Sequence, residues 1–339
     1  MSKSNKNKSK VILGIILFVI IIICAVFIEN SNSKIDINPN NNIYTNLNID
    51  KSKLNVFYLN VGQADSTLIT MGEDVMLIDA GNKSDGDNIV QFLKAQGIEE
   101  IDYLIETHSD DDHSGGIEKI VQKLDVCNVY MPQSAIEESE IKDDININVF
   151  SDLEQIYNLG SATWKVLSVD NAEDVKENGD NDTSIVIQLN YKGNKFLFMG
   201  DATSKVEKQL LNNNKLGKID VLKVGHHGSN SSSSEKFLNT VLPKYSIISV
   251  NNSEYSKHPS EKTIERLNSI HSEIYRTDVN GTIWITSDGI TIEIEKLDIN
   301  LNGNNKQAIK KLENIFYPLI ILLLVYCYHS NLYLVFQFL

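Results

Sequence analysis

The segment Tyr103-Leu-Ile-Glu-Thr-His108-Ser-Asp110-Asp111-Asp112-His113-Ser-Gly-Gly116 sets five imidazole and carboxylate groups within six residues, directly after an apolar run. These groups are hard or borderline ligands for divalent cations, and the two glycines let the backbone turn tightly into a helix. A solvated acidic turn would account for the aspartates but not for the histidines that bracket them. A second apolar run, Lys195-Phe-Leu-Phe-Met, ends in Gly200-Asp201. Gly-Asp alone is a common turn, yet a carboxylate has two oxygens and can bridge two cations once it leaves water. A third, Asp220-Val-Leu-Lys-Val-Gly225-His226-His227-Gly228-Ser229, repeats the order of strand, ligands and glycine. Adjacent histidines can point apart, one toward a metal and the other toward substrate.

Two more strand ends carry polar groups. Asp79, in Met76-Leu-Ile-Asp79-Ala-Gly81, reads as a carboxylate that orients a metal-bound imidazole through the ring's other N–H. His258, before Pro259, reads as a proton donor or substrate contact, whereas His271 and His329 have no neighbourhood that would recruit them. Imidazole and carboxylate without thiolate suit Zn or Mn. The groups outnumber the four that one tetrahedral zinc can use, so two ions are expected. Such a pair polarises the scissile group, makes a bridging water acidic and stabilises the leaving oxygen, which is the chemistry of hydrolysis.

The elements that must position these groups are short β-rich runs with amphipathic stretches between them. Strands are expected near Asn55–Asn60, Asp65–Met71, Val75–Asp79, Tyr103–Thr107, Asn128–Met131, Ala162–Ser168, Ser184–Asn190, Lys195–Met199, Val221–Val224, Tyr245–Val250, Thr282–Thr286 and Thr291–Glu295. Helical spacing marks Asn88–Gln96, Ile117–Leu124, Lys205–Leu211, Ser234–Val241 and Glu261–Ile270. Strands in series with helices interposed predict an α/β domain of two sheets with helices on the outer faces. Of the 339 residues 42% are hydrophobic and 22% charged, which excludes a disordered or low-complexity chain. Cys24, Cys127 and Cys327 are too few and too far apart for a disulfide framework or a thiolate zinc finger. Four lysines among the first ten residues carry +4 of a formal −14, leaving −18 on everything after them. That acidity argues against the broad basic face of a non-specific nucleic-acid binder.

Those lysines form a basic tail, residues 1–10, expected to stay in the cytoplasm. Residues 11–28 follow as an uncharged apolar run that reaches about 27 Å at roughly 1.5 Å per residue, close to the thickness of bilayer hydrocarbon. The stretch lacks small residues before a cleavage point and reads as an uncleaved transmembrane anchor contacting membrane lipid, with the body exported. Cys24 reads as part of that apolar helix rather than a lipidation site. Residues 29–50 are rich in Asn and Ser and read as a tether, 51–298 as the hydrolase domain, and 299–314 as a second linker. Residues 315–339 contain no Lys, Arg, Asp or Glu and read either as a second membrane segment or as an artefactual extension.

In order, Asn60-Val-Gly-Gln63-Ala-Asp65-Ser66, Leu77-Ile-Asp79-Ala-Gly81, His108 to Gly116, Gly200-Asp201-Ala202, Val224-Gly-His226-His227-Gly-Ser229 and His258-Pro259 form a highly specific series. Over about residues 54 to 296 the chain resembles the metallo-β-lactamase-fold hydrolases, specifically the ComEC-like branch found in DNA-uptake competence proteins. The resemblance implies a four-layer αβ/βα sandwich with a dinuclear metal site at the sheet edges. The second position of the superfamily signature, usually His, is Asp110, a replacement typical of this branch and of the related phosphorylcholine esterases. By the same resemblance His108 and Asp110 hold one ion, Asp112 and His113 the other, and Asp201 bridges. His227 joins the second ion and His226 faces substrate, although the two could be exchanged. The remaining ligand position falls at Asn181 and Asp182, where relatives have His; Asn181 is the candidate.

The resulting expectation is a membrane-anchored, exported metallohydrolase that cleaves a phosphodiester, DNA first, with Asp112, His226 and His258 as catalytic residues. The chain lacks the many membrane helices of a full DNA-uptake channel, and no protein partner is legible. Rivals are a phosphodiesterase for a small or cell-wall ester such as phosphorylcholine, and a weakly active metal-binding accessory protein. Lys223, Lys257 and Lys262 are the few cations near the motifs that phosphate contacts could draw on.

Overall fold

The computed structural model describes residues 44–138, 147–169, 180–251 and 257–303. The chain opens with β1 (Leu54–Tyr58), β2 (Thr67–Met71), β3 (Asp74–Ile78), helix α1 (Gly86–Ala95), β4 (Glu100–Ile101) and β5 (Tyr103–Ile105). The one-turn helix α2 (Asp111–Ser114), α3 (Ile117–Lys123), β6 (Asp125–Val126), β7 (Val129–Tyr130) and β8 (Ile147–Asn148) follow. Next come β9 (Tyr157–Leu159), β10 (Ala162–Ser168), β11 (Val186–Tyr191), β12 (Asn194–Phe198), α4 (Ser204–Asn212) and β13 (Val221–Lys223). The described fold closes with α5 (Glu235–Val241), β14 (Tyr245–Ile248), α6 (Glu261–Ser269), β15 (Glu273–Arg276), α7 (Thr277–Asn280), β16 (Thr282–Ser287) and β17 (Ile292–Leu297).

Two mixed sheets result. The first has the order β17-β16-β1-β2-β3-β5-β7-β8 and the second β15-β14-β13-β12-β11-β10-β9, while β4 and β6 form a small parallel pair. Every residue of β1 and β2 is buried, as a strand covered on both faces requires. Leu54, Val56 and Tyr58 point between the sheets and meet Trp164, Ile187 and Phe198. Phe57, Leu68 and Leu77 point the other way, onto Ile89, Phe92 and Leu93 of α1. Beyond the second sheet, Leu197 and Leu222 lie under Val206 and Leu210 of α4, Phe237 of α5 and Leu267 of α6. The layers therefore run helix, sheet, sheet, helix, as the resemblance implied. Hydroxyl caps start the second helical layer: Thr203, Ser234 and Ser260 accept the backbone N–H of Lys205, Phe237 and Thr263.

Packing continues past residues 51 and 298. Tyr44, Leu47 and Ile49 lie against the α1 core, and Leu301 is sealed there with its N–H donating to the Asn60 carbonyl at 2.7 Å. Among the described residues no helix is long and apolar enough to cross a membrane. Segments 11–28 and 315–339 lie outside the described residues.

Each sheet is antiparallel at one side and parallel at the other: β3, β5, β7 and β8 run parallel in the first, β12, β13, β14 and β15 in the second. Parallel neighbours end on the same side, and the crevice beyond their carboxyl ends is where ligands bind in such sheets. Asp79 follows β3, His108 follows β5, Asp201 follows β12, His226 and His227 follow β13, and Ser249 follows β14. The topology thus brings together motifs far apart in the chain.

Candidate metal centre

The turn after β5 is held by backbone contacts as much as by its side chains. The Ala80 N–H donates to the His113 carbonyl at 2.8 Å, and Gly116 N–H to the Gly81 carbonyl at 3.1 Å. A Cβ on Gly116 would lie 2.0 Å from the Ala80 oxygen, so the junction of α2 and α3 can sit on the β3 exit only because position 116 has no side chain. Gly116→Ala is expected to cost about 1–3 kcal/mol, lowering the melting midpoint by roughly 3–10 °C in differential scanning calorimetry. Three ligand-type residues adopt the left-handed backbone region that non-glycine residues avoid: Asp79 at φ 59°, His226 at φ 49° and His227 at φ 49°. In consecutive residues this turns the two imidazoles apart.

Hydrogen-bond logic fixes three imidazoles in one tautomer. Asp79 accepts at Oδ1 from the Thr107 N–H (2.8 Å) and at Oδ2 from the Thr107 hydroxyl (2.9 Å). With its proton committed there, Thr107 Oγ1 accepts from His108 Nδ1 at 3.1 Å. His113 Nδ1 donates to Asp79 Oδ2 at 2.8 Å, and His227 Nδ1 to the Ser249 carbonyl at 3.0 Å. All three rings therefore present Nε2 to the interior of the rim, where each Nε2 is buried and without a hydrogen bond, as is Asp201 Oδ1.

Those bare atoms converge with carboxylates. His113 Nε2 lies 3.2 Å from Asp201 Oδ1; His227 Nε2 lies 3.1 Å from Asp112 Oδ2 and 3.5 Å from Asp201 Oδ2; His108 Nε2 lies 3.4 Å from Asp110 Oδ2. Ligand atoms of His108, His113 and Asp201 fall within 4.8 Å of one another, and so do those of Asp112, His113 and His227. Three Nε2 atoms and Asp201 Oδ1, all buried and without a hydrogen bond, with the more open carboxylates of Asp110 and Asp112 beside them, fit divalent cations by donor type and by need.

The same packing sets the charges. Burial alone would raise the Asp201 carboxyl, but His227 and His113 outweigh it and hold it well below the usual carboxylate range. Burial would lower His113, yet Asp201 and Asp79 raise it well above the ordinary imidazole value. His227 is likewise raised against burial, by Asp201 and Asp112. Asp112 is lowered against burial by His227 and His113, and Asp110 is lowered chiefly by its contact with His108. On the open side the sign reverses. Burial lowers His226, with Asp201 opposing and His227 assisting, and it lowers His258 together with the neighbouring His226 and His227. The His226 and His258 rings stand 5.5 Å apart, and His226 keeps Nδ1 on the Ser231 hydroxyl at 3.1 Å.

The metallo-β-lactamase superfamily model matches residues 59–153 and 172–250, which is half of the chain. The chain belongs to the metallo-β-lactamase superfamily. Its similar proteins place it in the ComEC-like branch. It is 31% identical over 204 residues to ComE operon protein 3 of Bacillus subtilis, covering 58% of this chain and 26% of that protein. It is 32% identical over 253 residues to Recombination protein 2 of Haemophilus influenzae, covering 73% of this chain and 31% of that one. With Competence protein ComA of Neisseria gonorrhoeae it shares 30% identity over 229 residues, 66% of this chain and 30% of the relative. The alignments span about a quarter to a third of the length of these relatives. A divalent-metal-dependent hydrolase follows from superfamily membership; the substrate does not.

In this metallo-β-lactamase domain the rim gathers His108, Asp110, Asp112, His113, Asp201 and His227, with Asp79 behind His113 and with His226 and His258 on the open side. Asn181 lies in the short turn Asp180–Thr183, with Oδ1 buried and without a hydrogen bond. The next residue on, Asp182, accepts from the Thr203 hydroxyl instead. Three participants carry no role in the sequence reading: Thr107, the Ser249 carbonyl and Asp65. Lys223 departs from its expected place. It is buried against Asp65 rather than open to a phosphate, because the last residue of β13 faces the sandwich interior.

Proposed function

We propose that the domain is a dinuclear metal-dependent phosphodiesterase, anchored through residues 11–28 and exported, with DNA as the leading substrate. The observation that carries this reading is the set of three buried imidazoles whose Nε2 atoms, freed by Nδ1 partners, face carboxylates of one cluster. His108, Asp110 and Asn181 would hold one ion, Asp112, His113 and His227 the other, with Asp201 between them. Ions bound there supply Lewis-acid polarisation of a phosphoryl oxygen and a water that loses its proton near neutrality.

The chain's own groups do the rest. Asp112, whose side chain is 30% exposed, is a ligand-type carboxylate open to solvent and is placed to accept the proton of an attacking water. His226 and His258, neutral on the open side, are placed to donate N–H hydrogen bonds to phosphoryl oxygens, and the leaving alkoxide takes its proton from solvent water. Competence relatives favour DNA; the −18 body and the burial of Lys223 favour a smaller phosphodiester. The full chain should be loaded with Mn²⁺ or Zn²⁺ and offered single-stranded DNA and bis-p-nitrophenyl phosphate. Cleavage of both is the expected result. Cleavage of the small ester alone would reassign the substrate, and no turnover with two ions bound would leave a metal-binding accessory protein.

A further inference from the structure

Beneath the ligand layer lies a buried ion pair that the chemistry above does not use. Lys223 Nζ stands 2.5 Å from Asp65 Oδ2, with side chains 3% and 4% exposed, and it also donates to the Val224 carbonyl at 3.1 Å. A buried pair of this kind contributes little net stability compared with apolar side chains of similar volume, so its presence points to positioning rather than to fold strength.

Asp65 touches the centre in two ways. Its Oδ1, buried and without a hydrogen bond, lies 3.5 Å from His227 Nδ1, the nitrogen that donates to Ser249. Its backbone N–H donates to the Asp112 carbonyl at 3.0 Å. Asp112 and His227 belong to the same converging triplet, while His108 leans on Thr107 instead. A ligand oxygen of Asp65 also falls within 4.8 Å of ligand atoms of Asp201 and His227, so the carboxylate is itself placed to capture a cation.

We infer that Lys223 and Asp65 form a positioning pair for the ion held by Asp112, His113 and His227. The ammonium occupies Oδ2 and cancels the charge, so that Asp65 aligns His227 and the Asp112 turn without becoming a ligand. This rests on the two-ion reading of the centre.

The test uses the full chain stripped with chelator and titrated with Mn²⁺, free ion being followed by its electron paramagnetic resonance signal. The wild type should take up two ions. The double variant Asp65→Asn with Lys223→Met removes both charges together, and the single variant Asp65→Asn keeps the shape of the carboxylate. In each, one ion should bind about ten- to a hundredfold more weakly, the range seen when a ligand's supporting partner is lost, with the other unchanged within about twofold. Affinities that are unchanged at both sites, or lowered alike at both, overturn the inference, as does loss of the fold in both variants, which would make the pair purely structural. A wild type that binds fewer than two ions overturns the proposed function and this inference with it.

Discussion

Asp112→Asn should lower kcat/KM for bis-p-nitrophenyl phosphate about a thousandfold, equivalent to roughly 4 kcal/mol of transition-state stabilisation. Two roles are lost at once. The amide is a poor ligand where a carboxylate oxygen now stands 3.1 Å from His227 Nε2, and it cannot accept the proton of an attacking water. The fold should persist, because the links that place this turn are backbone ones: the Asp112 carbonyl still accepts from Asp65, and α2 keeps its own hydrogen bonds. A circular-dichroism melt within a few degrees of wild type, measured beside the kinetics, separates loss of chemistry from loss of structure. Asp111→Asn, one residue away on an exposed side chain, is the control and should stay within about twofold. Retention of activity within tenfold in Asp112→Asn would remove that residue from the chemistry.

The clustering of such a group was legible because polar residues stood directly after apolar runs, and runs that end together in a parallel sheet must share a rim. His108 to Gly116, Asp201 and His226-His227 could be read in that way. Asp65 shows no role in the sequence, although it sits in the Asn60–Ser66 motif just before a buried strand, because its partners come from β13 and from the turn after β5. Thr107 is hidden for a similar reason: its hydroxyl matters through a proton count that needs both Asp79 and His108 in place. The Ser249 carbonyl leaves no side-chain signature at all. Lys223 was misplaced because a lysine next to a His pair suggests a phosphate contact, while the pleat turns it inward. Among strands, the two-residue β4, β6 and β8 are too short to show a period, and half-exposed edges such as β9 and β15 lack a clean alternation. Residues 44–50 read as tether because three apolar side chains among Asn and Asp are too sparse to mark a helix or strand, yet they suffice to dock on α1.

Metal loading should reverse the dependence of stability on pH above neutrality. In the metal-free protein the folded pKa values of His113 and His227 are raised. Their contribution to stability is therefore fully present below the unfolded value, about 6.5, and is lost as pH rises through the raised folded values. Asp201 and Asp112 are lowered, so theirs is present above the unfolded carboxylate value, about 3.9, and is lost only as pH falls through the folded ones. Metal-free protein should thus weaken as pH rises from about 6.5 toward pH 8; the lowered His226 and His258 act in the opposite sense and only below the unfolded value. A cation must displace the imidazole protons, so its affinity rises over the same interval and up to about two protons are released per loaded centre. Binding only to the folded state stabilises it by RT ln(1 + [L]/Kd), so at fixed Mn²⁺ the gain over the metal-free form grows as Kd falls with pH. Melting midpoints measured from about pH 6.5 to 8 should decline in chelator and climb in Mn²⁺. Calorimetric titrations in two buffers of different ionisation enthalpy should give the proton count directly. Parallel curves with and without metal, or no proton release, would mean that His113 and His227 are not the groups that receive the ions.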